Sequence, residues 1–202
     1  MAVKTQSQRK WLERQQKDIY VKKARKEGYR SRAAYKLIEI QEKYKILKQG
    51  QLILDLGAAP GSFSQVMQKY VGKTGQILGI DLLPIQPLDQ NVTFIQDDFK
   101  SILNHITKKA DGVISDLSPS ACGIPEVDHL QLITMIEDMI ALLPQLLKEH
   151  GFFVCKVFKG GLQQDLLMIL KKYFKKVYHF KPQSSRKESA EEYVIALSFS
   201  SQ

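Results

Sequence analysis

Carboxylate side chains stand within or directly after three short apolar runs of this sequence. The run 51–56, which contains Asp55, leads into a loop of small residues, 57–61, and Asp81 and Asp98 lie at the ends of the next two runs. The carboxyl ends of parallel strands meet at one edge of a sheet, where ligands bind. The loop lets a ligand approach the backbone at a helix start, while Asp81 can accept two ribose hydroxyl hydrogen bonds and Asp98 can meet an adenine amino group. These positions predict a pocket for one adenosyl ligand.

Two other interpretations of the glycine loop deserve comparison. A nicotinamide dinucleotide site also combines a glycine loop with a distant acid, but it needs the spacing G-x-G-x-x-G. This loop reads G-A-A-P-G, and Pro60 would not suit a turn that cradles a pyrophosphate. The small residues would also fit a tight strand-to-helix turn with no ligand. Asp81 and Asp98 at the neighbouring strand ends favour the nucleoside pocket.

A lysine interrupts a later apolar run, VCKVF, at Lys156. An ionised lysine is costly to bury without a partner. Asp116, in SDLSP at the end of the preceding run, is the partner that a neighbouring strand would supply. A structural ion pair between these two residues would explain both of them without catalysis, and a catalytic site is the other interpretation.

Strand-like runs and helical patterns take turns along the chain. Strands are predicted at 51–56, 76–81, 92–96, 111–116, 151–158, 175–181 and 193–199, and helices at 31–44, 62–70, 132–147 and 162–173. This alternation predicts an α/β fold with a mostly parallel, seven-stranded sheet and helices on both faces. The final strand is a candidate to run antiparallel.

Four residues from different parts of the chain carry a family resemblance. Lys36 in RSRAAYKL, Asp116 in SDLSP, Lys156 in CKVFKG and Glu191 in SAEEYVIAL resemble the Lys-Asp-Lys-Glu set of the FtsJ (RrmJ) ribose 2′-O-methyltransferases. The similarity extends over about residues 18–197 and includes DLGAAPG, IDLLP and KPQSSR. It implies the Rossmann-like methyltransferase fold, with S-adenosylmethionine as methyl donor.

The resemblance also assigns roles to individual residues. The expected contacts of S-adenosylmethionine are Gly61, Phe63, Asp81, Asp98 and Asp116, and the expected reaction centre is Lys36, Asp116, Lys156 and Glu191. The cofactor loop departs from bacterial members of the family, which commonly have Gly-Trp where this chain has Ser62-Phe63. Glu191 is assigned because it stands two residues before Tyr193, and the adjacent Glu192 is the alternative.

Two mechanisms suit Lys156 in such a site. A ribose hydroxyl that attacks the sulfonium methyl must lose its proton or have its developing charge stabilised. A lysine close to Lys36 in low-dielectric surroundings would lose its own proton readily and act as a base. Asp116 opposes this effect, and a charged Lys156 would orient the hydroxyl instead. Glu191 would position Lys36 or the hydroxyl.

Positive charge is concentrated at one end of the chain. The net charge is +9, and residues 1–48 hold 15 Lys and Arg against 5 Asp and Glu. Lysines displace counterions from a phosphate backbone, and the aromatic residues of this region can stack on bases. We therefore expect a basic, flexible extension at 1–17, a methyltransferase domain at 18–202, and RNA as partner, although a basic leader could also serve solubility alone.

Other function classes are excluded by composition. Two cysteines without paired spacing and four scattered histidines give no metal site. No apolar stretch long enough for a membrane span and no signal peptide are present, so we expect a cytoplasmic protein, with an organellar origin left open by the Arg- and Gln-rich start. By resemblance, the expected substrate is a uridine of large-subunit (23S-type) ribosomal RNA in the 50S particle, and a monomer is expected. The alternative is a non-catalytic ribosome-assembly or RNA-binding factor that keeps the fold.

Overall fold

The computed structural model describes residues 18–119, 122–158, 163–186 and 188–201. The helices in these ranges are α1 (Ile19–Lys26), α2 (Ala34–Tyr44), α3 (Ser62–Val71), α4 (Pro125–Leu146) and α5 (Gln163–Tyr173), with a 3₁₀-helix at Phe99–Asn104. The strands are β1 (Leu52–Leu56), β2 (Gln76–Asp81), β3 (Val92–Gln96), β4 (Ala110–Ser115), β5 (Leu147–Phe158), β6 (Phe174–Phe180) and β7 (Glu191–Phe199). The predicted extension at 1–17 lies outside the described residues.

The seven strands of the described ranges form one sheet in the order β3-β2-β1-β4-β5-β7-β6. Strands β1 to β5 pair with one another in parallel. Strand β7 runs antiparallel to both β5 and β6, so the sheet is mixed rather than wholly parallel. The predicted α/β fold and the reversed final strand are both confirmed. Because the strand order changes direction between β1 and β4, a crevice for ligands is expected at the carboxyl ends of these two strands.

Helices cover both faces of the sheet. Helices α2 and α3 pack on one face, where their apolar side chains meet Ile53, Ile114 and Val154. The 3₁₀-helix, α4 and α5 pack on the other face against Leu54 and Phe153. Neighbouring positions of one strand, such as 53 and 54, therefore contribute to opposite cores, which explains why the central strands read as continuous apolar runs.

Helix α1 was not predicted from the sequence. Its eight residues are too few to show a clear helical period, but Asp18 caps it by accepting hydrogen bonds from the amides of Tyr20 (3.0 Å) and Val21 (3.3 Å). Helix α2 starts three residues later than the predicted residue 31. The preceding segment forms a turn in which Ala33 N donates to Ser31 Oγ at 3.2 Å.

Helix α4 and strand β5 show the largest differences between predicted and observed starts in the second half of the chain. Helix α4 begins at Pro125 rather than 132, because its first turn is stabilised by the acidic Glu126 and Asp128 and lacks apolar periodicity. Strand β5 begins at Leu147, which pairs with Ala110 before the register shifts. Within the described chain, no helix has both the length and the apolar character that crossing a membrane requires.

Candidate active site

The loop between β1 and α3 brings two glycines to the carboxyl edge of the sheet. Gly57 has φ 79°, and a Cβ there would lie 2.8 Å from the side chain of Leu117, which follows β4. Gly61 precedes α3 with φ 101°, and its Cβ would lie 2.5 Å from Arg30 Nη1. A side chain at either position would be both strained and obstructed. The glycines therefore allow the loop to lie close to β4 and to the turn before α2.

Asp55 is fully buried in β1 below this loop. Its Oδ2 accepts a hydrogen bond from Ser64 Oγ at 2.5 Å, and its Oδ1 has no partner within the described chain. Burial raises the pKa of Asp55 to about 7 against the effect of the Ser64 hydrogen bond, and the charges of Asp116 and Asp81 add to the rise. Asp55 thus provides an unsatisfied carboxyl oxygen beneath the cofactor loop.

The carboxylate of Asp81 is held at the end of β2 by two backbone amides. Ala59 N donates to its Oδ2 and Leu83 N to its Oδ1, each at 2.9 Å. Each carboxylate oxygen keeps a further lone pair for a ligand hydroxyl. This geometry suits the predicted contact with a ribose.

Two other predicted cofactor residues occupy different environments. Asp98 is exposed and caps the 3₁₀-helix by accepting a hydrogen bond from Lys100 N at 2.9 Å. Phe63 is 3% exposed and packs in the core between α2 and α3, with its ring centroid 6.3 Å from that of Tyr193. The contacts of Asp98 and Phe63 with S-adenosylmethionine stay predictions.

Lys156 and Asp116 meet where β4 and β5 end. Lys156 Nζ donates to the backbone carbonyl of Asp116 at 2.7 Å and lies 3.4 Å from Asp116 Oδ1. Lys156 is 5% exposed, so it is nearly buried and paired, as a lysine within a strand requires. An ammonium has three N–H donors, and these two contacts leave a donor for a ligand.

Lys36 and Glu191 form a second ion pair beside the first. Lys36 Nζ lies 2.9 Å from Glu191 Oε2 and joins α2 to the start of β7. Burial acts to raise the pKa of Glu191, but the positive charges of Lys36 and Lys156 outweigh it and hold this pKa below its ordinary value. The four residues Lys36, Asp116, Lys156 and Glu191, here termed the tetrad, therefore share one site.

The alternative residue Glu192 points away from the tetrad. Its Oε2 lies 3.9 Å from His179 Nδ1. Because side chains alternate along a strand, Glu191 and Tyr193 share the sheet face that α2 covers and Glu192 lies on the other. The geometry favours Glu191 as the partner of Lys36.

Tyr193 is a residue of this site that the sequence analysis did not assign. It is fully buried, pairs in register with Lys156, and donates its hydroxyl to Asp116 Oδ1 at 2.6 Å. Burial and the negative charge of Asp116 raise the pKa of Tyr193 well above its ordinary value, so the hydroxyl keeps its proton. The signal was its position two residues after Glu191, on the same strand face.

A cavity with charges of both signs opens next to the tetrad. Its volume is about 650 Å³, and its lining includes the cations Lys36, Arg32 and Arg186 and the carboxylates Glu188 and Glu191. Asp18 pairs with both arginines, and Arg32 also donates to the carbonyl of Ser184. The cavity is thus tied to the cap of α1 and to the β6–β7 connection. Within the residues that the structure describes, no group of His, Cys, Asp or Glu side chains could hold a metal ion.

Comparison with known proteins gives consistent matches. Residues 29–199 match the model of a family described as FtsJ-like methyltransferase. Two curated relatives are both named ribosomal RNA large subunit methyltransferase E. The relative from Methanocaldococcus jannaschii is 43% identical over 198 residues, covering 93% of this chain and 81% of its own length. The relative from Bartonella tribocorum is 45% identical over 202 residues, covering 96% and 83% respectively.

A solved structure also resembles the whole fold. It is a Plasmodium falciparum protein described as a ribosomal RNA methyltransferase, with a TM-score of 0.75 and 31% sequence identity. The match covers 86% of this chain and 100% of the solved chain.

Proposed function

Because the chain belongs to the FtsJ-like methyltransferase family, we propose that it transfers a methyl group from S-adenosylmethionine to a ribose 2′-hydroxyl of large-subunit ribosomal RNA. The observation that carries this proposal is that two ion pairs, Lys156–Asp116 and Lys36–Glu191, lie beside the glycine loop. The curated relatives are named for ribosomal RNA of the large subunit, which gives the substrate class.

The carboxyl edge of the sheet offers a fitting set of groups for S-adenosylmethionine. Asp81 would hold the ribose hydroxyls and Asp98 the adenine amino group. The loop ending at Gly61 would face the methionine portion, near the unsatisfied oxygen of Asp55. When bound, the cofactor supplies a methyl group on a positively charged sulfur, which is reactive enough that positioning contributes much of the rate.

We assign Lys156 to contact the attacking ribose oxygen. The oxygen would form a bond to the methyl carbon as the carbon–sulfur bond breaks, and the hydroxyl proton would pass to solvent water, because an ammonium group at Lys156 cannot accept it. The carbonyl and carboxylate of Asp116 surround Lys156 Nζ and suit its ammonium form. We therefore assign Lys156 to orient the hydroxyl and stabilise the developing negative charge on its oxygen. Asp116 would hold Lys156 in position and also contact S-adenosylmethionine.

Lys36 and Glu191 act on the RNA side of the same site. Both line the cavity next to the tetrad, in which Arg32 and Arg186, besides pairing with Asp18, can contact phosphates next to the target ribose. Lys36 Nζ donates to Glu191 Oε2 at 2.9 Å, and this contact fixes the position of the lysine charge. The three cations of the lining are available to contact the phosphates of an RNA strand.

The finer assignments follow the family. We propose a uridine of the 23S-type RNA in the 50S particle as the target, a cytoplasmic monomer as the working form, and residues 18–202 as the methyltransferase domain. The family match over 29–199 supports the domain assignment. The basic residues at 1–17 would add phosphate contacts.

Transfer of labelled methyl to large ribosomal subunits that lack this modification tests the proposal. The experiment compares wild type, Lys156→Ala and, as a matched control, Lys148→Ala, which removes an ion-paired lysine (Lys148 Nζ–Asp111 Oδ1 2.7 Å) outside the site. Wild type and Lys148→Ala are expected to label one 2′-hydroxyl, and Lys156→Ala to be slower by about 100-fold or more.

Two results would contradict the proposal at different levels. If wild type binds S-adenosylmethionine but labels neither subunits, naked ribosomal RNA nor transfer RNA, the enzyme assignment is wrong and a non-catalytic assembly factor takes its place. If Lys156→Ala transfers methyl as fast as Lys148→Ala, the enzyme assignment stands and the role of Lys156 is wrong.

A further inference from the structure

Three aromatic rings and two lysines form a surface at the sheet edge that the proposed reaction does not use. This surface, here termed the edge platform, consists of Lys43, Tyr44, Lys176, Tyr178 and Phe180. The ring centroid of Tyr44 lies 5.4 Å from that of Tyr178 and 5.8 Å from that of Phe180. Lys43 Nζ lies 4.8 Å from the Phe180 centroid and 5.3 Å from the Tyr44 centroid. The rings therefore lie side by side with a cation at their border.

The rings of the edge platform are open to solvent. Tyr178 is 39% exposed, and Tyr44 and Phe180 are half-buried. Strand β6 forms the sheet edge, and its outer side pairs with no strand of the described ranges. A cluster that only closed the core would be covered by other elements, so these rings retain surface for a partner.

The edge platform lies on the same sheet face as the tetrad. Phe180 pairs in register with Tyr193, whose hydroxyl reaches Asp116, and Tyr178 pairs with Ile195. Lys36 and Tyr44 are eight residues apart on α2, which corresponds to about 12 Å along the helix. An RNA strand with its target ribose at the tetrad would reach the edge platform within about two to four nucleotides, at roughly 3.4 Å per stacked nucleotide.

The charge around the rings is predominantly positive. Lys43 and Lys45 end α2, Lys176 lies on the platform face of β6, and the segment 174–180 contains no acidic residue. Among the described side chains, none of these three lysines forms an ion pair.

Most acidic residues near the edge platform form contacts away from its rings. Glu39 accepts hydrogen bonds from the amides of Gln183 (2.6 Å) and Ser184 (2.8 Å). Glu192 lies near His179 on the other sheet face. Glu42 is the remaining exposed carboxylate of α2, so cations prevail at the edge platform.

We propose that the edge platform binds the single-stranded RNA segment next to the target nucleotide, an inference that rests on the proposed function. A base stacks on the exposed face of Tyr178, and Lys43 and Lys176 contact the phosphates on either side. Aromatic side chains beside cations are the usual means by which proteins hold unpaired nucleotides without sequence preference. Exposed rings bordered by lysines complement RNA in both shape and charge.

Direct binding of a fluorescent 12-nucleotide oligouridine separates this proposal from catalysis. Tyr178→Ala is expected to raise the Kd about five- to tenfold through the loss of one stacked base, whereas Tyr178→Phe keeps the ring and stays within about twofold of wild type. The double variant Lys43→Gln/Lys176→Gln is expected to reduce the slope of log Kd against log salt by about 1. Lys108→Gln/Lys109→Gln removes the same charge directly before β4, three strands away from β6 in the sheet, and serves as the control.

Methyl transfer to large subunits supplies the second readout. Tyr178→Ala is expected to raise KM more than it lowers kcat. Three results would overturn the RNA-binding role of the edge platform and leave the proposed function intact. They are unchanged oligouridine binding in Tyr178→Ala, no binding of the oligouridine by wild type, and equal effects of the two double lysine variants. If Tyr178→Ala unfolds, the Phe and Lys variants decide by the same criteria. Failure of wild type to transfer methyl is a separate result that contradicts the proposed function alone.

Discussion

Asp116 accepts contacts from one donor on β5 and one on β7, and this is the feature of the tetrad that sequence spacing did not reveal. Lys156 contacts its carbonyl and carboxylate, and the buried hydroxyl of Tyr193 binds its Oδ1. A carboxylate held by a fixed neutral donor cannot rotate fully toward the lysine. Tyr193 therefore positions Asp116, and through it Lys156, without touching the RNA.

Replacing Tyr193 by Phe tests that positioning role. The variant keeps the ring that packs against Phe63 and removes one hydrogen bond to a charged acceptor. We expect kcat to fall about tenfold, equivalent to roughly 1.4 kcal/mol, with KM for large subunits unchanged because the residue is buried. Single-turnover methyl transfer measures the chemical step directly.

A second tyrosine provides the control for that experiment. Tyr173 stacks on Phe199 with centroids 6.2 Å apart and has no contact with the tetrad, so Tyr173→Phe should keep the wild-type kcat. Equal kcat values for the two variants would show that the Tyr193 hydroxyl only fills space.

Asp55 makes stability depend on pH in an unusual direction. Burial raises its pKa from 3.8 to about 7, so the folded protein favours the neutral carboxyl while the unfolded chain ionises freely. Its contribution to stability is therefore largest below pH 4 and is lost as pH rises through about 7, by on the order of 2–4 kcal/mol. Asp55→Asn, which is neutral at every pH, should lose less stability than wild type between pH 5 and pH 8.

Denaturant unfolding without added S-adenosylmethionine measures this difference. Asp89→Asn serves as the control, because Asp89 is exposed. Parallel stability curves for wild type and Asp55→Asn across this pH range would contradict a raised pKa at Asp55.

Residue types predicted two members of the tetrad, and the family resemblance supplied Lys36 and Glu191. Lys156 is indicated because a charged residue interrupts an apolar run, and Asp116 because it ends the preceding run. The sequence could distinguish Glu191 from Glu192 only by family spacing. Adjacent strand residues point to opposite faces of the sheet, and which face holds the tetrad is known only from the structure. Tyr193 was missed because a tyrosine in a strand is ordinary in composition and acquires its role only from register.

At the scale of single elements, the turn from β1 to α3 shows most clearly how backbone conformation limits the sequence. Gly57 and Gly50 have nearly equal φ angles, 79° and 78°. Their surroundings differ, because a Cβ at Gly57 would lie 2.8 Å from the side chain and 2.9 Å from the backbone nitrogen of Leu117, whereas the nearest atom at Gly50 is Thr74 Oγ1 at 3.7 Å.

The two glycines form a matched pair for mutation. Gly50→Ala should cost about 1 kcal/mol for the left-handed conformation alone. Gly57→Ala should cost more, roughly 2–4 kcal/mol, and weaken S-adenosylmethionine binding because Leu117 and the loop must separate. Denaturant unfolding and calorimetric binding measure both effects, and equal losses in the two variants would argue against close contact between the loop and β4.

Most elements followed directly from hydrophobic patterning. The strands at 76–81 and 92–96 begin and end as predicted, because each is a compact apolar run bounded by polar residues. Helix α1 and the first four residues of β5 were not predicted, since Asp18 and Leu147 are stabilised by contacts distant in sequence. Asp18 pairs with Arg32 and Arg186, and Leu147 pairs with Ala110 across a register shift.

At the scale of the whole molecule, the alternation of strands and helices predicted the fold class but not the strand order. Apolar periodicity indicates that a strand is buried and says little about which strand lies beside it. Order depends on crossover handedness and on the packing of α2 and α3 against one face and α4 and α5 against the other. The reversed direction of β7 is what brings Glu191, its first residue, to the edge where the parallel strands end.

The position of β7 has a consequence for the order of events during synthesis. This strand is made after β5 and β6 yet lies between them, so a growing chain cannot complete the sheet until residues 191–199 have left the ribosome. Glu191, the partner of Lys36, lies 155 positions later in the sequence. A nascent chain therefore lacks the Glu191 partner of Lys36, and with it the complete tetrad, until residues 191–199 have been synthesised.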